Sequence, residues 1–248
     1  MAIYKLAELT YGEVRELLAK GFDTAILPVG TVEPHGPHLP LGTDNIIPEL
    51  IAERLAEQIP AIVLPTLNYG VTTSLHGYPG SIRVRPESLE NMTYDILSSL
   101  AFHGFKMAIV LNGHGGNTAP LDNAAKKAWL ENKLAVLLVD WWTLARDRGL
   151  TQSFLGKEGG HAATDETGLV ALARPDLVKR NMYTSDAIFV SSSGVRAYPL
   201  PGTIINYSAG EGEVSFSLEK VKDYLDAIVG EIKSLYMRQR RALEYLST

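Results

Sequence analysis

The sequence predicts an α/β fold on a largely parallel sheet, and three observations carry that reading. Four short, nearly continuous apolar runs each end in a glycine- or asparagine-rich turn. Helix-like stretches separate them, and the composition does not shift along the chain. Apolar runs without alternation mark strands buried on both faces, which is the condition of a parallel sheet covered by helices.

The runs are DTAILPVG at 23–30, AIVLPTLNYG at 61–70, FKMAIVLNGHGG at 105–116 and KLAVLLVDWW at 133–142, with a weaker fifth, DAIFVSSSG, at 186–194. Between the first two, IIPELIAERLAEQI (46–59) reads as a helix that Asp44 or Asn45 can cap, with Pro48 tolerated in its first turn. A second helix, 86–104, opens on Pro86 and closes on His103-Gly104; a third, 118–133, is alanine-rich with charges on one side. The last, about 216–240, spaces Phe216, Leu218, Val221, Leu225, Ile228, Ile232 and Leu235 by three and four residues. That stripe is expected to lie on the sheet or on a neighbouring subunit. Residues 151–160 and 194–212 read as long loops, which in compact domains tend to carry function. With no repeat and no low-complexity tract, 1–248 is expected to be a single domain.

Composition removes several function classes. Lys and Arg number 23 against 28 Asp and Glu, a formal net charge of −5, and no basic cluster exceeds RQRR at 238–241. Nucleic-acid binders need a basic patch aimed at phosphates, so that class is set aside. No cysteine is present, so a metal must be held by nitrogen and oxygen. No run has the apolar length of a membrane span, and MAIYKLAELTYGEV lacks the apolar core of a signal peptide. A cytoplasmic protein is expected, without membrane partners.

The chemistry concentrates in PVGTVEPHGPHLPLGTDN, residues 28–45. Glu33, His35, His38 and Asp44 fall within a stretch too broken by Gly and Pro to be a helix. Glu33 and His35 follow the first strand, and His114 follows the third inside NGHGGN (112–117). Open α/β sheets bind ligands beyond the carboxyl ends of their strands, so these side chains converge on one crevice. Glu33, His35, Asp44 and His114 make a nitrogen/oxygen set for a divalent transition metal, and Asp44, with two oxygens, can bridge two ions. A second site needs one more ligand. GGHAATDETG (159–168) offers His161, Asp165 and Glu166, of which Glu166 is the choice. Two adjacent ions activate a shared water and stabilise a developing negative oxygen, which is hydrolytic chemistry.

Blander readings stay open beside these. Asp44 can be an N-cap, His114 a structural histidine, and Asp165-Glu166 charges favoured at a helix start. NGHGGN lacks the GK[ST] of a phosphate-binding loop, no GxGxxG follows a strand, and no GxSxG elbow is present. His38 and His161 are the two candidate proton donors, and His38 can instead orient a metal-bound carboxylate. Tyr69, Tyr78, Trp141, Trp142 and Tyr198 are candidate pocket walls. Of Arg83 and Arg85, at most one meets an anionic group from an extended segment.

PVGTVEPHGPHLPLGTD, NGHGGN and GGHAATDETG together resemble the creatininase, or creatinine amidohydrolase, family over nearly the whole chain. The resemblance implies a three-layer α/β/α sandwich and two divalent ions per chain, zinc, manganese or iron. It also implies a homo-oligomer, a hexamer built as a trimer of dimers. Glu33 and His35 would bind one ion each, Asp44 would bridge, and His114 would be a ligand. One position departs: creatininase itself has a glutamate ligand two residues beyond the histidine of NGH, where this chain has Gly116. In other members the glutamate of the HAxxxET segment takes that place, which maps onto Glu166 and argues against creatinine as substrate. The expectation is a binuclear-metal hydrolase cleaving the C–N bond of a small polar cyclic amide or formamide. Alternatives are a ring-opening C–C hydrolase of a cyclic diketone such as a diketo-inositol, and a non-catalytic metal-stabilised subunit.

Overall fold

The computed structural model describes residues 1–246 apart from 193 and 213. Its central sheet has five parallel strands: β1 (Tyr4–Lys5), β2 (Thr24–Val29), β3 (Ala61–Val63), β4 (Met107–Asn112) and β5 (Ala135–Asp140), in the order β1-β3-β2-β4-β5. The helices are α1 (Tyr11–Ala19), α2 (Thr43–Ala56), α3 (Pro86–Phe102), α4 (Thr118–Asn132), α5 (Trp141–Asp147), α6 (Leu150–Leu155), α7 (Thr164–Ala173) and α8 (Leu218–Leu246). A second sheet of three short strands, β6 (Gly160–His161), β7 (Ile188–Val190) and β8 (Ile204–Asn206), is ordered β6-β8-β7.

The two-residue period of the strands sorts their side chains into two cores. Ile26, Met107, Ile109, Leu111 and Val139 face α2, α5, α7 and α8, contacting Ile51, Trp141, Leu169 and Ile228 among others. Ala25, Leu27, Val29, Ala108 and Val110 face α1, α3 and α4, with Leu17, Leu97 and Leu121. Helices thus cover both faces, giving a three-layer α/β/α sandwich as expected.

Register decides where the site forms. Thr24–Val29 pairs residue for residue with Met107–Asn112, and that strand pairs likewise with Ala135–Asp140. Val29, Asn112 and Asp140 therefore end level, and the segments leaving β2 and β4 start from the same edge.

Several boundaries differ from expectation. Helix α2 begins at Thr43 with Gly42 as N-cap and no capping side chain, so Asp44 and Asn45 lie inside the first turn and do not cap. Of the run 61–70, only Ala61–Val63 is strand. The stretch 151–160, expected as loop, holds α6, six residues bracketed by Gly149 and Gly156 in left-handed conformations. Helix α1 was not expected, although Thr10 and Glu13 form a reciprocal capping box at its start. The weak fifth run contributes β7 to the small sheet, not the central one, and Ser193 within it lies outside the described residues. Among the described residues no helix is long and apolar enough to cross a membrane.

Candidate metal centre

Two strand ends rest directly on the first turn of α2. A Cβ at Gly30 or at Gly113 would collide with the carbonyl oxygen of Asp44, so both positions need a residue without a side chain. Asn45 Nδ2 donates to the Thr31 carbonyl at 3.1 Å and Asn117 Nδ2 to that of Gly30 at 3.0 Å. Beyond β4, the Asp140 carboxylate accepts from Asn112 Nδ2 (2.7 Å) and from the Thr118 hydroxyl (3.0 Å). Asn112 Oδ1 in turn accepts from the backbone N–H of His114 at 3.1 Å. This chain of bonds pins the turn that carries His114.

The five expected ligands meet in one buried place, with Asp44 at the centre. His35 Nε2 lies 2.8 Å from Asp44 Oδ1 and 3.7 Å from Glu166 Oε2. His114 Nδ1 lies 3.1 Å from Asp44 Oδ2 and 3.3 Å from Glu33 Oε1. Asp44 thus sends one oxygen into each of two donor sets, Glu33/Asp44/His114 and His35/Asp44/Glu166, whose ligand atoms lie within 4.8 Å of one another.

Backbone carbonyls set the histidine tautomers. His35 Nδ1–H donates to the Glu33 carbonyl at 3.0 Å, and His114 Nε2–H to that of Val71 at 3.0 Å. In each ring the nitrogen left for a metal is the one facing the carboxylates, the arrangement by which outer partners orient metal-binding imidazoles. His161 Nε2–H donates to the Pro34 carbonyl at 2.8 Å, its ring stacks on His35 at 4.1 Å, and its Nδ1 stands 3.7 Å from Glu33 Oε1.

Three buried carboxylates so close together need countercharge. Among the described residues, their ion-pair partners within 4 Å are all histidines. Burial disfavours the His35 cation, but Asp44, Glu166 and Glu33 raise its pKa to about 10; His114, beside Glu33 and Asp44, is likewise raised to about 9. Burial lifts Glu33 above the usual carboxylate range and Glu166 to about 8. Asp44 is buried too, yet His35 and His114 hold it below that range. His161 is driven down to about 3 by burial and by the neighbouring His35. Asp44 Oδ2 is also buried, and its 3.1 Å contact with His114 Nδ1 falls short of a well-directed hydrogen bond. A pair of divalent cations fits this donor set: it would replace the histidine protons as countercharge and give that oxygen a directed bond.

The centre forms the floor of a cavity of about 510 Å³, which Glu33, Asp44, His114, His161, Asp165 and Glu166 all reach. Trp142, Leu75, Tyr198 and Tyr207 wall it, and Arg146 is the one arginine or lysine among its lining residues. Trp142 and Tyr198 were expected there. Tyr69, Tyr78 and Trp141 do not line it: Trp141 is fully buried, and Tyr78 donates its hydroxyl to the Leu200 carbonyl at 2.8 Å. Arg83 and Arg85 are not lining residues either. Arg146 and Tyr207 were missed, because a helix following β5 and a loop after β8 offer no motif. His38 is brought near the centre but not into the cavity; its Nε2 meets the Thr167 hydroxyl at 3.1 Å and its ring meets Tyr183 edge-on. A Cβ at Gly116 would collide with the Val71 carbonyl oxygen, so this turn has no room for a glutamate ligand at that position.

Comparison with known proteins agrees with this geometry. The creatininase family, described as creatinine amidohydrolase, matches residues 7–225. The chain is 30% identical over 189 residues to the creatinine amidohydrolase of Pseudomonas putida, covering 70% of this chain and 73% of that protein. It is 31% identical over 157 residues to the mycofactocin precursor peptide peptidase of Mycolicibacterium smegmatis, covering 61% and 58%. Over 154 residues it is 30% identical to the 3-dehydro-scyllo-inosose hydrolase of Thermotoga maritima, covering 61% and 48%. The match thus spans about half the length of the last two relatives. A crystal structure of creatinine amidohydrolase superposes with a TM-score of 0.82 at 26% identity, covering 96% of this chain and 98% of that one.

Proposed function

The chain belongs to the creatininase family, and from that premise we propose a binuclear-metal hydrolase that cleaves the C–N bond of a small polar cyclic amide or formamide. The observation that carries the reading is the divided Asp44 carboxylate, one oxygen in each donor set. Glu33 and His114 would hold one ion, His35 and Glu166 the other, and Asp44 would serve both. When bound, two divalent ions supply a water of lowered pKa and positive charge at a carbonyl oxygen.

The protein's own residues do the rest. His161 Nε2 is committed to the Pro34 carbonyl, so its Nδ1 is the atom that takes a proton and returns it to the leaving nitrogen. Burial and the neighbouring His35 keep the ring neutral at working pH, so Nδ1 carries a free lone pair. Stacking on His35 keeps the ring in place. Trp142 and Leu75 exclude bulk water on one side, while Thr73, Ser74 and Ser191 offer hydroxyls to a polar substrate. His38, bonded to Thr167 beside Glu166, acts as an orienting residue, not as the proton donor.

A second reading, ring-opening hydrolysis of a cyclic diketone, is favoured by the likeness to the dehydro-inosose hydrolase and by the same hydroxyls. Creatinine is disfavoured, because Gly116 leaves no room for the glutamate of the name-giving enzyme. On the family pattern we further propose a cytoplasmic single-domain protein, assembled as a homo-hexamer and loaded with zinc, manganese or iron. Elemental analysis of protein purified without chelator tests the core of this reading, with about two ions per chain expected. Screening with cyclic amides, formamides and cyclic diketones then chooses the bond. No bound ion after reconstitution would overturn the assignment.

A further inference from the structure

We propose that the turn from Gly159 to Ala163 is a clamp that presets Glu166 for its ion, with Asp165 and Ala162 as positioning residues; the inference rests on the metallohydrolase reading above. Glu166 is a long side chain in the first turn of α7, and helix geometry alone does not direct its carboxylate toward His35. What does so is the backbone N–H of Ala162, which donates to Glu166 Oε2 at 2.6 Å. The same oxygen is the one 3.7 Å from His35 Nε2.

That N–H reaches Glu166 from an unusual conformation. Ala162 has φ of +57° and is fully buried. Residues with a Cβ avoid this left-handed region, and isolated buried exceptions persist where the surroundings over-determine them. Here the surroundings are identifiable. On one side His161 is held in the small sheet opposite Ile205 and stacks on His35. On the other, the buried Asp165 accepts the Gly160 N–H on Oδ1 at 3.2 Å. A Cβ at Gly159, where φ is +80°, would collide with the Asp165 carboxylate, so the glycine lets the backbone close onto it. Asp165 holds Gly160, the held turn fixes Ala162, and Ala162 aims at Glu166. Asp165 itself belongs to neither donor set. The other ion's histidine, His114, is secured by a separate device, Asn112 and Asp140, so the clamp should act on one ion only.

The test is a competition titration of zinc against a chromophoric chelator on the full-length chain, read as two affinities. Asp165→Ala is expected to weaken one ion by about 10- to 100-fold, the range for losing an outer partner, and to leave the other unchanged. Asp165→Asn keeps an oxygen for the Gly160 N–H and is expected to restore the weakened ion to near the unaltered protein's affinity. If Asp165→Ala does not fold, Gly159→Ala, whose methyl displaces the carboxylate, must show the same selective loss. Two unchanged ions in the folded variant would overturn the proposal, as would equal weakening of both. Fewer than two ions in the unaltered protein would instead defeat the binuclear reading, and this inference with it.

Discussion

At the scale of single residues, the site is a set of protons waiting to be exchanged for metal. In the metal-free protein His35, His114 and Glu166 have pKa values of about 10, 9 and 8, all above their ordinary values. The folded state therefore keeps protons that the unfolded chain has released, and the stability these groups contribute is full at low pH and lost as pH rises through 8 to 10. His38 and His161, lowered to about 4 and 3, act in the opposite sense but only below about pH 6.5. Chelator-treated protein is thus expected to melt at progressively lower temperature from pH 7 to 10, while zinc affinity climbs over the same range and uptake releases protons. Melts and zinc titrations at pH 7, 8.5 and 10 check this, and a flat response in both would contradict it. His161→Asn provides a second prediction. It should keep two ions and lose about 10²- to 10⁴-fold in kcat, the usual worth of a positioned general acid–base, on any substrate the screen finds. Loss of metal with the activity would make His161 a ligand instead. That Glu33, His35 and His114 would meet was legible because strand exits converge, whereas Asp44 and Glu166 were picked out as carboxylates beside predicted helix starts, and the structure brings all five together. His38 and His161 were not separable there: both sit in glycine-rich turns, and only tertiary contacts turn one toward the cavity and the other toward Thr167.

At the scale of elements, the centre depends on β2 and β4 ending level and closing onto α2. The hydrogen bond from the Gly113 N–H to the Val29 carbonyl, 2.8 Å, continues the ladder one step past the strands, where both glycines face the Asp44 carbonyl. Gly113→Ala forces a methyl into that backbone. It is expected to cost about 1–3 kcal/mol, the range for overpacking a filled interior, and to weaken both ions because Asp44 belongs to both donor sets. Urea melts with metal titration check it; unchanged affinity for both ions would show that the strand ends do not position Asp44. The main strands and helices were readable because long apolar periodicities dominate weaker local preferences. Helix α6 was not, since six residues between two left-handed glycines show no period. Nor was the true start of α2, because Gly42 gives no capping side chain and Asp44, a good N-cap by type, is turned toward two histidines.

At the scale of the whole molecule, the polar centre borders the apolar interior at one edge of the sheet. One core joins the sheet to α2, α5, α7 and α8, the other joins it to α1, α3 and α4, and both are built from aliphatic and aromatic side chains. The centre adjoins the first of them: Ala162 packs in that core and donates its N–H to Glu166. A metal that organises folding sits where little else can, and its removal unfolds the domain. A metal added to a finished scaffold stabilises only by linkage, about 2.7 kcal/mol per ion when free metal is a hundredfold above its Kd. Chelation is therefore expected to abolish hydrolysis, lower the melting temperature by roughly 10–20 °C (two such ions, at about 2–4 °C per kcal/mol for a domain of this size), and leave the far-ultraviolet circular dichroism spectrum unchanged near pH 7. Loss of the spectrum on chelation would mean that the ions hold the fold together, and would favour a non-catalytic metal-stabilised subunit. The placement of the ligands argues for the first outcome. Four of the five come from loop residues or a helix's first turn at the strand exits, and the fifth opens α7, so the ions would join the ends of elements that are already packed.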